Sequence, residues 1–370
     1  MARVVSTGRG APGRYQAPRP NASWRDDLLT MAMCAWVLAG MGLDAWAHTN
    51  IPQLETFLTP WHGVLYSGFT ATIAWLLWKV RGALSPRPGL ASVPVGYGLG
   101  LAGAAILVAS GVGDAIWHTV FGIEVGVEAA LSPTHIGLFL GTLLIVTTPL
   151  RAAWSSSATG RAPTLRAFLP ALLSLTFATV LVSVFFSWLS AFREWSPVLR
   201  FDQPEGLGVA WLRSYVLEHG IASVLVTNLL LLAPLLLVLR RWRPPLASFT
   251  LLFTAAALTV CAIDQFRLGE VVLAALAGGL AADCLVARAG RWADPTQAHR
   301  VVATVTPLAL WGAYFLVFQV RRGIAWPAEL WTGSIVLAAL SGLALSMLMI
   351  PPGNPVLGRG GDPHSSADPT

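Results

Sequence analysis

The sequence has little charge. Only 11% of its 370 residues are charged, and 55% are hydrophobic, whereas soluble domains carry about 25% charged residues. This composition excludes an ordinary soluble domain. Apolar stretches of about 20 residues, the length that crosses a bilayer as a helix, recur along the whole chain. We therefore predict an all-α fold, a polytopic integral membrane helical bundle embedded in the lipid bilayer.

Cysteine is also scarce. The three cysteines, Cys34, Cys261 and Cys284, lie singly in apolar segments. They form neither a paired framework nor a Cys-x-x-Cys motif, so the sequence predicts no disulfide scaffold and no thiolate metal site. The net charge of +6 comes from arginines at the predicted membrane edges, where basic residues orient a membrane protein. Nucleic acid is therefore not an expected partner.

Ten apolar segments predict about ten transmembrane helices, arranged as five hairpins. They cover roughly residues 28–48, 61–80, 94–118, 134–153, 166–190, 213–239, 245–264, 268–287, 300–320 and 328–350. These segments form one predicted transmembrane domain, 27–350. The flanking segments, 1–26 and 351–370, have no apolar periodicity and are predicted to be disordered cytoplasmic tails.

The distribution of basic residues predicts the orientation. If both termini are placed in the cytoplasm, 18 of the 24 basic residues fall in inner segments. Basic residues are enriched in cytoplasmic loops. We therefore predict a multi-pass protein of the cell membrane with both termini cytoplasmic. The six basic residues that remain outside are Arg193, Arg200, Arg213, Arg267, Arg321 and Arg322.

Two stretches of the sequence, 42–68 and 113–141, resemble each other. Both begin with Asp-Ala-x-x-His-Thr, and both end with Pro-x-His at the start of the next apolar segment. The two copies run in the same direction through the membrane. This pattern predicts a parallel internal repeat within the first four transmembrane helices.

Each copy carries a possible set of metal ligands. An aspartate and a histidine four residues apart share one face of a helix, and the histidine that opens the next helix returns to the same membrane depth. Two histidines and one carboxylate are a recurrent ligand set for iron, copper or zinc. An alternative is that the aspartate accepts a hydrogen bond from a ligating histidine. A metal-free proton relay and purely structural pairing are also compatible with the pattern. The predicted ligands are Asp44, His48, His62, Asp114, His118 and His135.

Three further ionisable residues lie toward the same predicted outer side. His219 follows Glu218 in the sixth segment, and Asp264 ends the seventh. Ionisable groups at membrane depth usually face the interior of the bundle or a polar cavity. We predict that they supply an additional ligand or an acid–base group.

The first copy resembles a known copper site. Asp44-x-x-x-His48, followed by thirteen residues and His62, is similar to the copper-ligand pattern in the C subunit of particulate methane and ammonia monooxygenases. The resemblance covers residues 44–62 and implies copper or a similar metal. In the second copy the corresponding gap is sixteen residues. The His-x-x-x-His pair of seven-helix zinc hydrolases and the histidine boxes of membrane di-iron desaturases are absent from the sequence.

The sequence thus predicts an integral membrane metalloprotein with its site near the extracytoplasmic face. The leading interpretation is a metal-dependent oxidoreductase that acts on an apolar small-molecule substrate, with copper or iron as cofactor and zinc as the alternative metal. One alternative is a transporter or a proton- or metal-conducting protein that uses the same cluster. Another is a zinc-dependent intramembrane hydrolase. A conducting pathway would continue to the inner side, where Asp283 is almost the only ionisable residue within the predicted spans, and this favours a one-sided site.

Overall fold

The computed structural model describes residues 19–51, 59–82, 92–122, 126–157, 159–201, 207–289 and 295–349. Every regular element in these ranges is helical. The α-helices are α1 (Trp24–Asn50), α2 (Pro60–Val80), α3 (Tyr97–Phe121), α4 (Val127–Leu131), α5 (Pro133–Val146), α6 (Thr148–Ser155), α7 (Leu165–Phe185), α8 (Leu207–Leu239), α9 (Ser248–Ile263), α10 (Val272–Ala289), α11 (Pro295–Arg321) and α12 (Ala328–Met349).

The predicted helical membrane bundle is confirmed. Within the described ranges, eight helical segments are long and apolar enough to cross a membrane. The other two predicted spans correspond to α2 and to α9, which has 16 residues. Ten crossings in five hairpins stay a prediction.

The predicted tails lie mostly outside the described residues. The last part of the first one, however, is ordered, because α1 already begins at Trp24. Ser23 caps this helix: its hydroxyl accepts a hydrogen bond from the backbone N–H of Asp26, and the carboxylate of Asp26 accepts one from the backbone N–H of Ser23, which forms a capping box.

Two local features depart from the predicted spans. The predicted fourth span consists of α5 and α6, which are separated at Thr147. Pro149 follows this break, and proline cannot continue an α-helical hydrogen-bond ladder. The segment 191–212 between the fifth and sixth predicted spans is also shorter than expected, since α8 begins at Leu207. Before α8, the chain forms three 3₁₀ turns, Ser187–Leu189, Ala191–Arg193 and Ser196–Val198.

The first two helical hairpins pack closely. Helix α1 packs on α2, and α3 packs on α5. A Cβ atom at Gly40 would lie only 2.7 Å from the Cα of Leu65, and one at Gly141 would lie 2.9 Å from the carbonyl oxygen of Gly103. Small residues allow such close approach of membrane helices. The two hairpins share one hydrophobic cluster, whereas α7–α12 form most of a second, and α7 contacts both α1 and α9.

The ionisable residues in the first turn of α1, and Asp283 in α10, have structural partners. Asp26 pairs with Lys79 of α2, and Asp27 accepts a hydrogen bond of 2.8 Å from the hydroxyl of Tyr97. Asp283 accepts hydrogen bonds from two backbone N–H groups in the first turn of α9. Helix N-termini carry unsatisfied N–H groups, so Asp283 stabilises the start of α9.

Candidate metal centre

In each of the two hairpins, a capped helix start positions the second histidine. Helix α2 begins after Thr59, whose hydroxyl accepts a hydrogen bond of 3.2 Å from the backbone N–H of His62. Helix α5 begins after Ser132, whose hydroxyl accepts one of 3.3 Å from the N–H of His135. A proline occupies the first helical position in both helices, where its missing N–H costs nothing. Each histidine is thereby fixed in the first turn of its helix.

In the first hairpin, three side chains meet. Asp44 and His48 lie near the C-terminal end of α1. The Nε2 atom of His62 lies 3.3 Å from Asp44 Oδ1, and that of His48 lies 3.8 Å from Asp44 Oδ2. The ligand atoms of this first triad all lie within 4.8 Å of one another.

The second hairpin repeats this arrangement. Asp114 and His118 lie near the end of α3. Asp114 Oδ1 lies 3.5 Å from Nε2 of His118 and 3.4 Å from Nε2 of His135. The ligand atoms of this second triad also lie within 4.8 Å of one another. It is the more buried of the two, since the side chains of Asp114 and His118 are each 2% exposed.

These separations suit a shared cation better than direct hydrogen bonds. The four Nε2–carboxylate distances are 3.3–3.8 Å, longer than the about 2.7–3.2 Å of an ordinary N–H···O bond. With metal–nitrogen distances of about 2.0–2.1 Å, neighbouring ligands of a tetrahedral metal lie roughly 3.4 Å apart. In both triads, moreover, the same ring nitrogen faces the aspartate.

Hydrogen bonds at Nδ1, the ring nitrogen that does not face Asp114, orient the two histidine rings of the second triad. Nδ1 of His118 lies 3.1 Å from the carbonyl oxygen of Gly122, and this oxygen can only accept. A neutral His118 therefore carries its proton on Nδ1 and presents the lone pair of Nε2 to the triad. Nδ1 of His135 lies 2.7 Å from the Ser132 hydroxyl. Hydrogen bonds of this kind fix the tautomer of metal-ligating histidines.

The carboxylate of Asp114 is held from two further directions. The hydroxyl of Tyr66 donates a hydrogen bond of 2.7 Å to Oδ2, and that of Thr134 donates one of 3.0 Å to Oδ1. Tyr66 belongs to α2, so this bond connects the first hairpin to the second triad. The carboxylate has little freedom to turn away from the two histidines.

The two triads lie side by side. Ring centroids are 5.6 Å apart for His48 and His62, 6.4 Å for His62 and His118, and 5.5 Å for His118 and His135. The four imidazoles thus form one cluster across the two hairpins. The predicted ligand residues are brought together into one cluster rather than scattered around the bundle.

The cluster borders a cavity of about 560 Å³. Side chains of both triads line it, together with apolar side chains such as those of Met41, Phe69 and Phe139. A cavity of this size that is mostly apolar and carries a few convergent polar groups is typical of a small-molecule site.

Of the three additional residues predicted from the sequence, His219 lines the cavity. Among the described residues, neither Glu218 nor Asp264 lines the cavity. Glu218 is exposed on α8, and Asp264 follows α9 and lies 3.9 Å from Arg267. Glu218 points around the helix away from the direction of His219, because successive helical residues are about 100° apart.

Sequence reasoning missed the partner of His219. Nδ1 of His219 lies 2.8 Å from Glu194 Oε2, and Glu194 Oε1 accepts a hydrogen bond of 2.8 Å from the backbone N–H of Ser196. Glu194 also lines the cavity, as does the half-buried Arg193. Burial lowers the pKa of Arg193, although the nearby carboxylate of Asp264 acts in the opposite direction. A carboxylate–imidazole pair thus faces the triads from the other half of the chain.

Fold and site together define a helical membrane protein with two His/Asp groups that could hold metal ions. No family model, no curated protein and no solved structure matches the chain. The resemblance to the copper-binding subunit therefore stays a prediction.

Proposed function

We propose that this protein is a membrane-bound, metal-dependent oxidoreductase that acts on an apolar substrate. The observation that carries the proposal is that two His/His/Asp triads lie side by side on the wall of one largely apolar cavity. The triads would hold the metal ions, and the apolar wall would hold the substrate. The parallel internal repeat is part of the proposal. It is supported by the matching helix starts and by the same order of ligands in both hairpins.

The ligand set favours a redox metal. Two histidines and one carboxylate leave coordination positions open, which is typical of iron sites that activate oxygen, and imidazole also suits copper. The local resemblance of Asp44, His48 and His62 to a copper-ligand pattern favours copper of the two. An open position that faces an apolar cavity would bring an oxidant and a carbon–hydrogen bond together.

Zinc is the second candidate, and it would make the protein a hydrolase. The observation that favours it is the Glu194–His219 pair on the cavity wall. A histidine oriented by a carboxylate is a common general base, and zinc lowers the pKa of a bound water to about 7. The two candidates differ in the metal they require.

Metal reconstitution tests both candidates. The detergent-purified protein would be stripped of metal and titrated separately with Cu²⁺, Fe²⁺ and Zn²⁺. Each sample would be analysed for bound metal, for conversion of long-chain alkanes and alcohols by oxygen in the presence of an added two-electron reductant, and for cleavage of long-chain esters and amides. We expect stoichiometric copper or iron and an oxidised product. If the protein retains only zinc and cleaves esters or amides, it is a hydrolase and the oxidoreductase proposal is wrong. The absence of any stoichiometric metal would end both.

We further propose that the triads lie near the extracytoplasmic face of the cell membrane, with both termini in the cytoplasm. The bias of basic residues toward the other side of the bundle supports this orientation. Glu128 in α4 is exposed beside the site, whereas Arg161 is exposed in the loop between α6 and α7, which the prediction places inside.

Cysteine labelling is expected to confirm this orientation. Cys284 is exposed, so it would first be replaced by alanine. In that background, Glu128→Cys should react with a membrane-impermeant maleimide in intact cells, because it lies on the outer side. The matched control, Arg161→Cys, should react only after permeabilisation. The reverse pattern would invert the topology and move the metal centre to the cytoplasmic face.

A further inference from the structure

A second hollow, of about 680 Å³, lies between α2 and α3. We call it the α2–α3 groove. Its α3 wall includes Val108, Val112 and Ile116, which are 50%, 61% and 60% exposed. In a bundle that spans a membrane, exposed apolar side chains of this kind face lipid. The groove therefore opens to the hydrocarbon region of the bilayer.

The groove offers an occupant almost no polar contact. Thr70 and Thr119 are polar residues of its lining. The hydroxyl of Thr70 donates a hydrogen bond of 2.9 Å to the carbonyl oxygen of Tyr66, and that of Thr119 donates one of 2.7 Å to the carbonyl oxygen of Ala115. Both hydroxyls are thus satisfied by their own helices. Because an amide or hydroxyl group placed there would lose hydrogen bonds that it makes in water, the groove suits a hydrocarbon chain.

The groove and the metal cavity share part of their walls. Tyr66 and Phe69 line both hollows. Tyr66 is half-buried, and its hydroxyl faces the carboxylate of Asp114. Opposite Tyr66, α3 carries Gly111, where even a Cβ atom would come within 3.4 Å of the tyrosine ring. Tyr66 and Phe69 thus form part of the boundary between the lipid-facing groove and the metal cavity.

We infer that the α2–α3 groove binds the hydrocarbon chain of a single-chain lipophile, which reaches the metal cavity sideways from the bilayer past Tyr66 and Phe69. The inference rests on the proposed function for the fate of this molecule at the metals. The chain would lie in the groove with its reacting end toward Asp114. The substrate class would then be long-chain alkanes, alcohols or related single-chain compounds, in preference to water-soluble molecules.

Photolabelling tests the inference without any turnover. The probe is a hexadecanol that carries a diazirine near the end of its chain, added to the full-length protein in phosphatidylcholine nanodiscs. After irradiation, adducts are located by peptide mass spectrometry, and bound metal is measured in the same samples. We expect adducts on Ile73 or Val112 in the groove and on Met41 or Phe139 in the cavity.

Val112→Trp fills the groove from a lipid-exposed position and is expected to abolish the cavity adducts without changing the metal content. Leu140→Trp adds a similar side chain at a lipid-exposed position outside both hollows and is expected to change neither. Thr70→Trp fills the groove from α2 and gives the same test if Val112→Trp folds poorly. Cavity adducts that persist in both groove variants, or wild-type adducts in the groove alone, would overturn the inference. If the protein is labelled normally but binds no metal, the groove still binds a hydrocarbon chain, and the proposed oxidoreductase function is wrong.

Discussion

A His48→Ala/His118→Ala variant is expected to bind no metal, whereas we expect the wild-type protein to bind two ions per chain. Each substitution removes one of the three proposed ligands of a triad. Loss of a group that only hydrogen-bonds to a metal ligand costs about 10–100-fold in metal affinity. Loss of a ligand itself costs more. The measurement is bound copper, iron or zinc per chain after reconstitution and gel filtration.

The single variants distinguish two arrangements of the ions. If each triad holds its own ion, His48→Ala and His118→Ala should each retain one ion per chain. If the four imidazoles form one dinuclear centre, either substitution should release both ions. His299→Ala is the matched control, because this histidine contacts the carbonyl oxygen of Leu239 far along the chain from the triads. A double variant that keeps the metal content of the wild type would rule out the triads as the metal site.

The spans were predictable because bilayer thickness alone sets the length of an apolar helix. Predicted and observed boundaries agree within a few residues for most helices, as for 61–80 and α2. The break between α5 and α6 was missed, although Thr147, Thr148 and Pro149 mark it in the sequence. Hydropathy is insensitive to such a break, since the chain stays apolar through it. Arg151 donates a hydrogen bond to the freed carbonyl of Leu144, and nothing in a local pattern shows that contact.

The six triad residues could be predicted because their arrangement is local. The spacing of Asp44 and His48 places both on one helix face, and Pro60 marks the start of the helix that returns His62. Tyr66 lies four residues after His62, so the same reasoning could have placed it on the same face. A tyrosine near a helix end is equally typical of a membrane-interface anchor, and this weakens the signal.

The facing wall of the cavity could not be predicted in this way. Glu194 lies between 3₁₀ turns and meets His219 only through the tertiary fold. Irregular segments lack the regular side-chain spacing of a helix, so the sequence does not indicate which carboxylate pairs with His219. Glu218, predicted as an additional ligand or acid–base group, precedes His219 in sequence, but adjacent helical residues point in different directions.

Asp114→Asn is expected to lower metal affinity by about tenfold or more while the protein still inserts and folds. Asparagine keeps the shape of the side chain, but it has a single carbonyl oxygen. It can therefore accept one of the two hydrogen bonds that the hydroxyls of Tyr66 and Thr134 donate to the separate oxygens of Asp114. It lacks the negative charge that a cation between two imidazoles requires. The measurement is a competitive metal titration against a chelator, with thermal unfolding of the apo and metal-loaded forms.

The unfolding data separate a metal ligand from a purely structural aspartate. A ligand that binds only the folded state stabilises it, and this effect depends on the ratio of ligand concentration to Kd. The metal should therefore raise the unfolding temperature of the wild type more than that of Asp114→Asn. If Asp114 served only to hold Tyr66, Thr134 and the two histidines in place, the substitution would lower the unfolding temperature of the apo protein and leave its metal content unchanged. Asp44→Asn should weaken metal binding in the same way, because Asp44 takes the corresponding place between His48 and His62. A normal metal affinity in both variants would show that neither carboxylate is needed for metal binding.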